Sequence, residues 1–189
     1  MVEEHALPLA RAAEDRGTYG FTWVPASDDE ARSYVAERLG WAAASEAVPF
    51  VQVRRTDDRV VGATCFLSLR CRKLDDSPWA VEIGSTWLAA SAQGTGINVE
   101  ARLLMLSLSF ERWHVSRVDF KTDARNHRSR GALLALGATF EGILRCWQPS
   151  TASGEEGALR DSAMYSIIAN EWPTVERDLR DRITRRAAL

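Results

Sequence analysis

A glycine-rich loop, Gly94-Thr95-Gly96, lies directly before a segment with helical periodicity. The residues from Trp79 to Leu88 are rich in β-branched and aromatic side chains, which predicts a strand. The residues from Val99 to Glu111 place apolar side chains at helical spacing. A helix N-terminus exposes unpaired N–H groups and carries about +0.5 of an elementary charge, and glycines let a backbone approach a phosphate closely. This order of strand, loop and helix therefore predicts an anion site.

Two common phosphate-binding motifs do not fit this loop. A dinucleotide fingerprint needs a third glycine where the chain has Val99. A P-loop needs Gly-Lys-Ser/Thr, and that tripeptide does not follow Gly96. The glycine spacing alone is equally typical of a plain tight turn, so the neighbouring residues must decide between the two.

Further segments, in the same order along the chain, resemble the GNAT acetyltransferase superfamily. Gln93-Gly94-Thr95-Gly96, after a strand carrying Glu82-Ile83-Gly84, resembles its acyl-CoA-binding motif. Other segments resemble the branch typified by the bacterial acetyltransferases of ribosomal-protein N-termini: Lys121–Asn126, Arg128–Arg130, Leu136–Ala138, Phe140–Arg145 and Arg160–Ile167. The resemblance extends from about Val2 to Trp172, and it implies an N-acyltransferase that uses acetyl-CoA or another acyl-CoA.

The fold implied by this resemblance is a mixed α/β GNAT fold in one domain, residues 1–189. Its sheet is expected to be mostly antiparallel, with helices on both faces, and to splay apart between the Glu82 strand and the Arg117 strand. The pantetheine arm is expected to enter that split and to pair with the backbone as an added strand does. The first strand of the fold is missing, because the chain begins inside a helix expected from Val2 to Asp15. We expect the natural start of the protein to lie upstream.

Acyl transfer to an amine needs a neutral amine, a stabilised oxyanion and a proton for the leaving thiolate. The resemblance implies that Glu82 is the general base, with Asp161 or a water chain as alternatives. Many GNAT enzymes use a tyrosine as the acid, but Leu133 stands at that position. Ser129 matches a serine given this role in the ribosomal N-terminal branch, and it is also a candidate cofactor contact.

The cofactor is expected to bind along the strand end, the glycine loop and the next helix start. The backbone N–H of Leu88 or Ala89 is expected to stabilise the oxyanion, and the N–H groups of Gln93 to Asn98 to bind the pyrophosphate. The full set of candidate cofactor contacts is Trp87, Leu88, Ala89, Gln93, Gly94, Thr95, Gly96, Ile97, Asn98, Asn126 and Ser129.

Aromatic side chains supply the candidate contacts to the amine acceptor: Tyr19, Phe21, Trp23, Trp147 and Tyr165. The first three lie in a segment that walls the acceptor pocket in the family it resembles, although they fit a core equally well. The ribosomal branch has a glutamate where this chain has Gln148. The acceptor is therefore either a protein N-terminus or a small molecule.

Composition limits the other functions. Twenty-four basic and 26 acidic residues give a net charge of −2, which provides no global basic field for nucleic acid or a membrane surface. The chain has no apolar run near the ~20 residues of a membrane span, so a cytoplasmic location is expected. Three cysteines and three histidines fit no zinc spacing, and no metal is expected.

Several alternatives stay open at this point. The acceptor could be an antibiotic or metabolite amine, the donor could be a larger acyl-CoA, and the protein could be a monomer or a homodimer. A non-catalytic acyl-CoA-binding module also fits the glycine loop. Local signals add a helix N-cap at Ser27-Asp28-Asp29-Glu30, another at Asn126, and a polar loop from Cys71 to Pro78.

Overall fold

The computed structural model describes residues 1–72 and 75–187. Its helices are α1 (Ala6–Ala12), α2 (Asp28–Ala43), α3 (Ile97–Ser107), α4 (His127–Leu136) and α5 (Trp172–Ala187). Its strands are β1 (Ala47–Arg54), β2 (Arg59–Arg72), β3 (Asp75–Leu88), β4 (Arg117–Asp123), β5 (Thr139–Pro149) and β6 (Leu159–Ile168). Within the described residues, the strands form one sheet in the order β1-β2-β3-β4-β6-β5.

The sheet is mixed, as predicted. Neighbouring strands pair in the antiparallel sense, except that β3 and β4 pair in parallel. Two parallel neighbours need a crossover connection, and α3 supplies it between β3 and β4. The central pair of the sheet is thus joined by the helix that the glycine loop precedes.

Helices cover both faces of the sheet, which confirms that part of the predicted fold. On one face, α3, α4 and α5 pack against residues such as Ile83 and Phe120. On the other face, α1 and α2 cover β2 and the end of β3, and Leu9 and Val35 are fully buried there. In the described part of the chain, no helix is both long enough and apolar enough to cross a membrane.

The N-terminal segment departs from the expected long helix. A 3₁₀ turn, Glu3–His5, precedes α1, and α1 ends at Ala12 rather than near Asp15. The described residues contain no strand before α1, and β1 forms that edge of the sheet. The Met1 ammonium donates a hydrogen bond to the Pro49 carbonyl oxygen at 3.1 Å, so the first residue lies against the edge strand.

Two local predictions had different outcomes. Ser27 caps α2 as predicted, because its hydroxyl accepts a hydrogen bond from the Glu30 N–H at 3.2 Å. The prediction of a loop from Cys71 to Pro78 is wrong for the described residues: β2 extends to Arg72, β3 begins at Asp75, and residues 73 and 74 lie outside the description. Pro78 pairs with Cys71 beside a register shift, which is one of the places where a sheet tolerates proline.

Candidate active site

The central strands β3 and β4 diverge to leave a wedge in the sheet. They pair only at Ala80–Arg117, Val81–Val118 and Glu82–Asp119. Beyond that point, β3 continues to Leu88 and β4 to Asp123 without a partner between them. Backbone N–H and C=O groups that face the wedge can pair with an extended ligand, as an added strand does.

A β-bulge lies in β3 along the wedge. The pairing of β3 with β2 passes from Cys65–Gly84 to Ala63–Trp87, so β3 has one extra residue there. Ser85 has a φ of 48°, which a bulge can require of one of its residues. The Thr86 hydroxyl lies 2.8 Å from the Thr64 hydroxyl and holds the bulge to β2. A bulge re-aims the backbone groups of a strand, and here it does so beside the wedge.

At the end of β3, one of two neighbouring backbone N–H groups is available to a ligand. The Ala89 N–H donates to the Val61 carbonyl oxygen at 2.7 Å, so this amide is already used. Because hydrogen bonds alternate along an antiparallel pair, the Leu88 N–H turns away from β2 and toward the wedge. The Leu88 carbonyl oxygen accepts hydrogen bonds from the Tyr19 hydroxyl and from Gln93 Nε2, each at 3.0 Å. Of the two amides predicted to hold an oxyanion, that of Ala89 is thus already hydrogen-bonded within the sheet, and that of Leu88 faces the wedge.

Trp87 contributes its backbone rather than its ring to this region. Its side chain is buried against α1 and α2, and its Nε1–H donates to the Tyr34 hydroxyl at 3.2 Å. The Tyr19 ring meets it edge-on, with ring centres 6.1 Å apart. Tyr19 is itself buried, and its burial raises the pKa of its phenol. Tyr19 thus packs against the Trp87 side chain and helps to hold the end of β3 in place.

The glycine loop has an open backbone conformation that leaves room for an anion. Gly94 and Gly96 have φ values of 75° and 104°, which side-chain-bearing residues rarely adopt. A Cβ on Gly94 would meet no atom within 4 Å, so the loop is open there. Gly96 is the N-cap of α3, and no side chain caps this helix. The first-turn amides of Ile97 and Asn98 are therefore presented to an anion, which fits the pyrophosphate of an acyl-CoA.

Two arginines from distant elements flank the loop, and sequence reasoning assigned neither of them to the site. Arg186 of α5 donates from Nη1 to the Gly94 carbonyl oxygen at 2.6 Å. Arg128 of α4 donates to Gln93 Oε1 and to the Thr18 carbonyl oxygen, both at 2.7 Å. The basic end of α5 is visible in the sequence, but only the fold brings it 92 residues back to the loop.

The start of α4 lies beside the same loop. Asn126 caps this helix, since its side-chain oxygen accepts the Ser129 N–H at 3.0 Å. The Arg128 contact with Gln93 joins this first turn to the glycine loop. The predicted cofactor residues of the two segments are thus brought together.

Glu82 lies at the closed end of the wedge, on the sheet face opposite α3. Val81 and Ile83 pack into the α3 side, so alternation turns the Glu82 side chain to the other face. The residue is 8% exposed, and its carboxylate accepts a hydrogen bond from Lys121 Nζ at 3.3 Å. A Cβ on Gly84 would come within 2.9 Å of Glu82 Oε1, so the glycine leaves space for this carboxylate.

Charges of both signs surround Glu82 on this face. Burial lowers the pKa of Arg160 in β6, and the negative charges of Asp123 and Glu82 offset only part of this effect. Arg125 forms ion pairs with Asp123 and Glu155. Across the described residues, no group of three or more His, Cys, Asp or Glu side chains has the arrangement of a metal site.

The segment from Tyr19 to Trp23 borders the sheet face that carries Glu82. The Phe21 ring lies 5.4 Å from the Arg125 guanidinium, and its carbonyl oxygen accepts a hydrogen bond from the Thr151 hydroxyl at 3.0 Å. Trp23 is 47% exposed and lies against Tyr34. Phe21 therefore lies beside the charged residues of this face, whereas Trp23 packs against α2.

Three other predicted residues are not brought to Glu82. Asp161 accepts a hydrogen bond from the Cys146 N–H at 2.8 Å, and alternation places it on the face opposite Ser162. Tyr165 is 1% exposed in the α3-side core, where its hydroxyl accepts a hydrogen bond from Arg130 Nε. Trp147 is exposed on β5, and β4 and β6 separate that strand from β3.

Comparisons with known proteins agree with this geometry. A family model described as an acetyltransferase (GNAT) domain matches residues 1–139. A crystal structure provisionally described as an acetyltransferase is 30% identical with a TM-score of 0.79, and the match covers 97% of this chain and 88% of that chain. No curated protein matches this chain.

Two more distant structures share the fold. RimJ of Mycobacterium smegmatis, solved in complex with CoA-disulfide, is 21% identical with a TM-score of 0.75, and the match covers 96% of this chain and 86% of that chain. Ribosomal-protein-S5-alanine acetyltransferase of Vibrio fischeri is 18% identical with a TM-score of 0.68, and the match covers 91% and 92%.

Proposed function

Because this chain belongs to the GNAT acetyltransferase family, we propose that it transfers the acetyl group of acetyl-CoA to a primary amine by direct attack. The observation that carries the proposal is the wedge between β3 and β4, which opens beside the glycine loop. We place the reaction in the cytoplasm, with the protein acting as a monomer or a homodimer.

The loop and its two arginines would hold the phosphates of the donor. The Gln93 N–H already donates to the Ala90 carbonyl oxygen at 3.2 Å, so the amides from Gly94 to Asn98 would face the phosphates at the start of α3. Arg128 and Arg186 add two positive charges beside them. The pantetheine arm would then lie in the wedge. The donor supplies an activated thioester carbonyl, and the residues around the wedge act on its reaction.

Glu82 is the general base in this proposal. It accepts the proton of the acceptor ammonium, directly or through water, so that the neutral amine can attack. The Leu88 N–H donates to the oxygen on which negative charge develops. As the carbon–sulfur bond breaks, the Ser129 hydroxyl donates a proton to the leaving sulfur and regains one from the amine nitrogen, which loses its second proton on forming the amide. Glu82 then returns its own proton to water.

The acceptor face favours a peptide N-terminus or a small amine over a polycation, because it carries charges of both signs together with Phe21. The name of the Vibrio fischeri structure, a ribosomal-protein-S5-alanine acetyltransferase, supports a protein acceptor. A small-molecule amine is the second candidate, since Gln148 lacks the carboxylate of the ribosomal branch.

A binding experiment tests the phosphate site. In Gly96→Val the new side chain would lie in the strained φ region and close to Arg186. We expect calorimetry to show a loss of acetyl-CoA affinity of at least about tenfold, or ~1.4 kcal/mol. Gly20→Ala is a matched control, because its Cβ would meet no atom within 4 Å. Unchanged affinity in a folded Gly96→Val protein would contradict the proposed site.

A turnover experiment tests the reaction itself. Release of free thiol from acetyl-CoA is measured with a panel of peptide N-termini and small amines. Amine-dependent release supports the transferase, whereas tight acetyl-CoA binding without release for any amine would favour the non-catalytic module.

A further inference from the structure

Arg102 is a buried cation that the proposed reaction does not use. It lies on α3 and is 8% exposed. Its Nη2 donates to the Thr86 hydroxyl of β3 at 3.0 Å, and its Cζ lies 5.4 Å from the centre of the Phe120 ring of β4. Thr86 and Phe120 both lie beyond the last paired residues of their strands. Arg102 therefore bridges the two sides of the wedge from the α3 side.

The Arg102 guanidinium has no carboxylate partner among the described residues. Its Nη1 is buried without a hydrogen-bond partner. The side chains that share contacts with Thr86 are neutral, namely Thr64 and, through it, Met105. Burial lowers the pKa of Arg102 to about 10, so the group is still charged at neutral pH. A buried charge with an unused donor is costly to maintain, and a negative group in the wedge would relieve that cost.

The chemistry of an acyl-CoA limits which negative group can reach Arg102. Its phosphates belong at the start of α3, and Arg102 lies about 9 Å further along that helix at 1.5 Å per residue. The pantetheine arm in the wedge carries amides and a hydroxyl but no charge. The remaining place for a negative group is the acyl chain itself.

We propose that Arg102 selects a donor whose short acyl chain ends in a carboxylate, such as succinyl-CoA. The proposal rests on the proposed function for the site and the reaction, because it requires the thioester to lie in the wedge, and it names the acyl group that this site prefers over acetyl. Nη1 would donate a charge-assisted hydrogen bond to the terminal carboxylate, while Thr86 holds the guanidinium in place. The transfer is unchanged: the nitrogen–carbon bond forms, the carbon–sulfur bond breaks, and the terminal carboxylate keeps its charge.

Binding without an acceptor tests this proposal. Calorimetry compares succinyl-CoA with pentanoyl-CoA, which has a neutral chain of similar length. We expect the unmodified protein to bind succinyl-CoA at least about tenfold more tightly. Arg102→Met should abolish the preference, and Arg102→Lys should retain only part of it, because a positive charge can remain but the forked pair of donors is lost. Free CoA should bind all three proteins with affinities within about twofold, which shows that the variants are folded and the phosphate site intact.

The possible outcomes separate this inference from the function on which it rests. Equal affinity for the two donors in the unmodified protein overturns the role of Arg102 but leaves the acetyltransferase proposal standing. An equal loss for both donors in Arg102→Met also overturns it, because the arginine would then hold a group common to both. Failure of the unmodified protein to bind CoA or any thioester refutes the proposed function as well. If Arg102→Met does not fold, the ratio in the unmodified protein and in Arg102→Lys decides.

Discussion

Replacement of Glu82 by glutamine separates a catalytic carboxylate from a structural one. Glutamine keeps the size of the side chain but cannot accept the proton of the acceptor. General-base catalysis typically contributes about 10²–10⁴ in rate. We therefore expect Glu82→Gln to lower kcat/KM by that factor near neutral pH, with acetyl-CoA affinity nearly unchanged because the phosphates are held elsewhere.

The ion pair with Lys121 provides the matched control. Glu82→Gln and Lys121→Met both remove the ion pair, whose Nζ–Oε2 distance is 3.3 Å, but only the first removes the carboxylate. The pair is largely buried. Loss of an exposed pair lowers the free energy of unfolding by up to about 1 kcal/mol and loss of a fully buried one by about 3–5 kcal/mol, so we expect a value between these. We expect thermal melts of the two variants to fall by similar amounts, while Lys121→Met keeps at least about a tenth of the activity.

The pH dependence gives a second test. An α-amino group has a pKa near 8, so more of the acceptor is already neutral at higher pH. Activity of Glu82→Gln should therefore recover in part as the pH is raised to about 9, with a peptide N-terminus as acceptor. Near-normal activity at every pH, or equal losses of activity in the two variants, would refute Glu82 as the base.

Three further perturbations have expected outcomes. Gly84→Ala would push a methyl group against Glu82 Oε1 and should lower kcat/KM at least tenfold without weakening CoA binding; measurement of both decides. Arg186→Ala removes a positive charge beside the glycine loop and should weaken CoA binding severalfold in calorimetry, more at low salt than at high salt. Arg125 lowers the pKa of Glu155 to about 2, so the stabilisation from this pair is complete above about pH 4.5 and is lost as the pH falls toward 2. In Arg125→Met, Tm should therefore fall less steeply over that range; an unchanged slope would exclude the pair as its source.

The order of elements could be predicted because local chemistry specifies it. Alternation and β-branching indicate β3, glycines indicate the loop, and Ser27 and Asn126 act as the predicted N-caps. The strand residues 71–72 and 75–78 could not be predicted from the polar composition of this segment. Pairing between β2 and β3 satisfies their backbone groups, whatever the side chains are.

The site is harder to predict than the fold, because its partners are distant in sequence. The glycine loop is visible as a local pattern, whereas the contact of Arg186 with Gly94 depends on the docking of α5. Aromatic residue type also misleads. Tyr165 is a residue type that often contacts substrates, but its position in β6 places its side chain in the hydrophobic core.

The wedge also determines how the two parts of the sheet are coupled mechanically. Three residue pairs join the unit β1-β2-β3 to the unit β4-β6-β5 across β3 and β4, and the rest of that seam has no ladder. An extended ligand in the wedge would hydrogen-bond to the backbone on both sides and continue the ladder from Glu82 toward Leu88. Hydrogen exchange should therefore slow on ligand binding at the β3 amides that face the wedge and at the end of β4. The substrate would then be, for as long as it is bound, a seventh strand of the sheet.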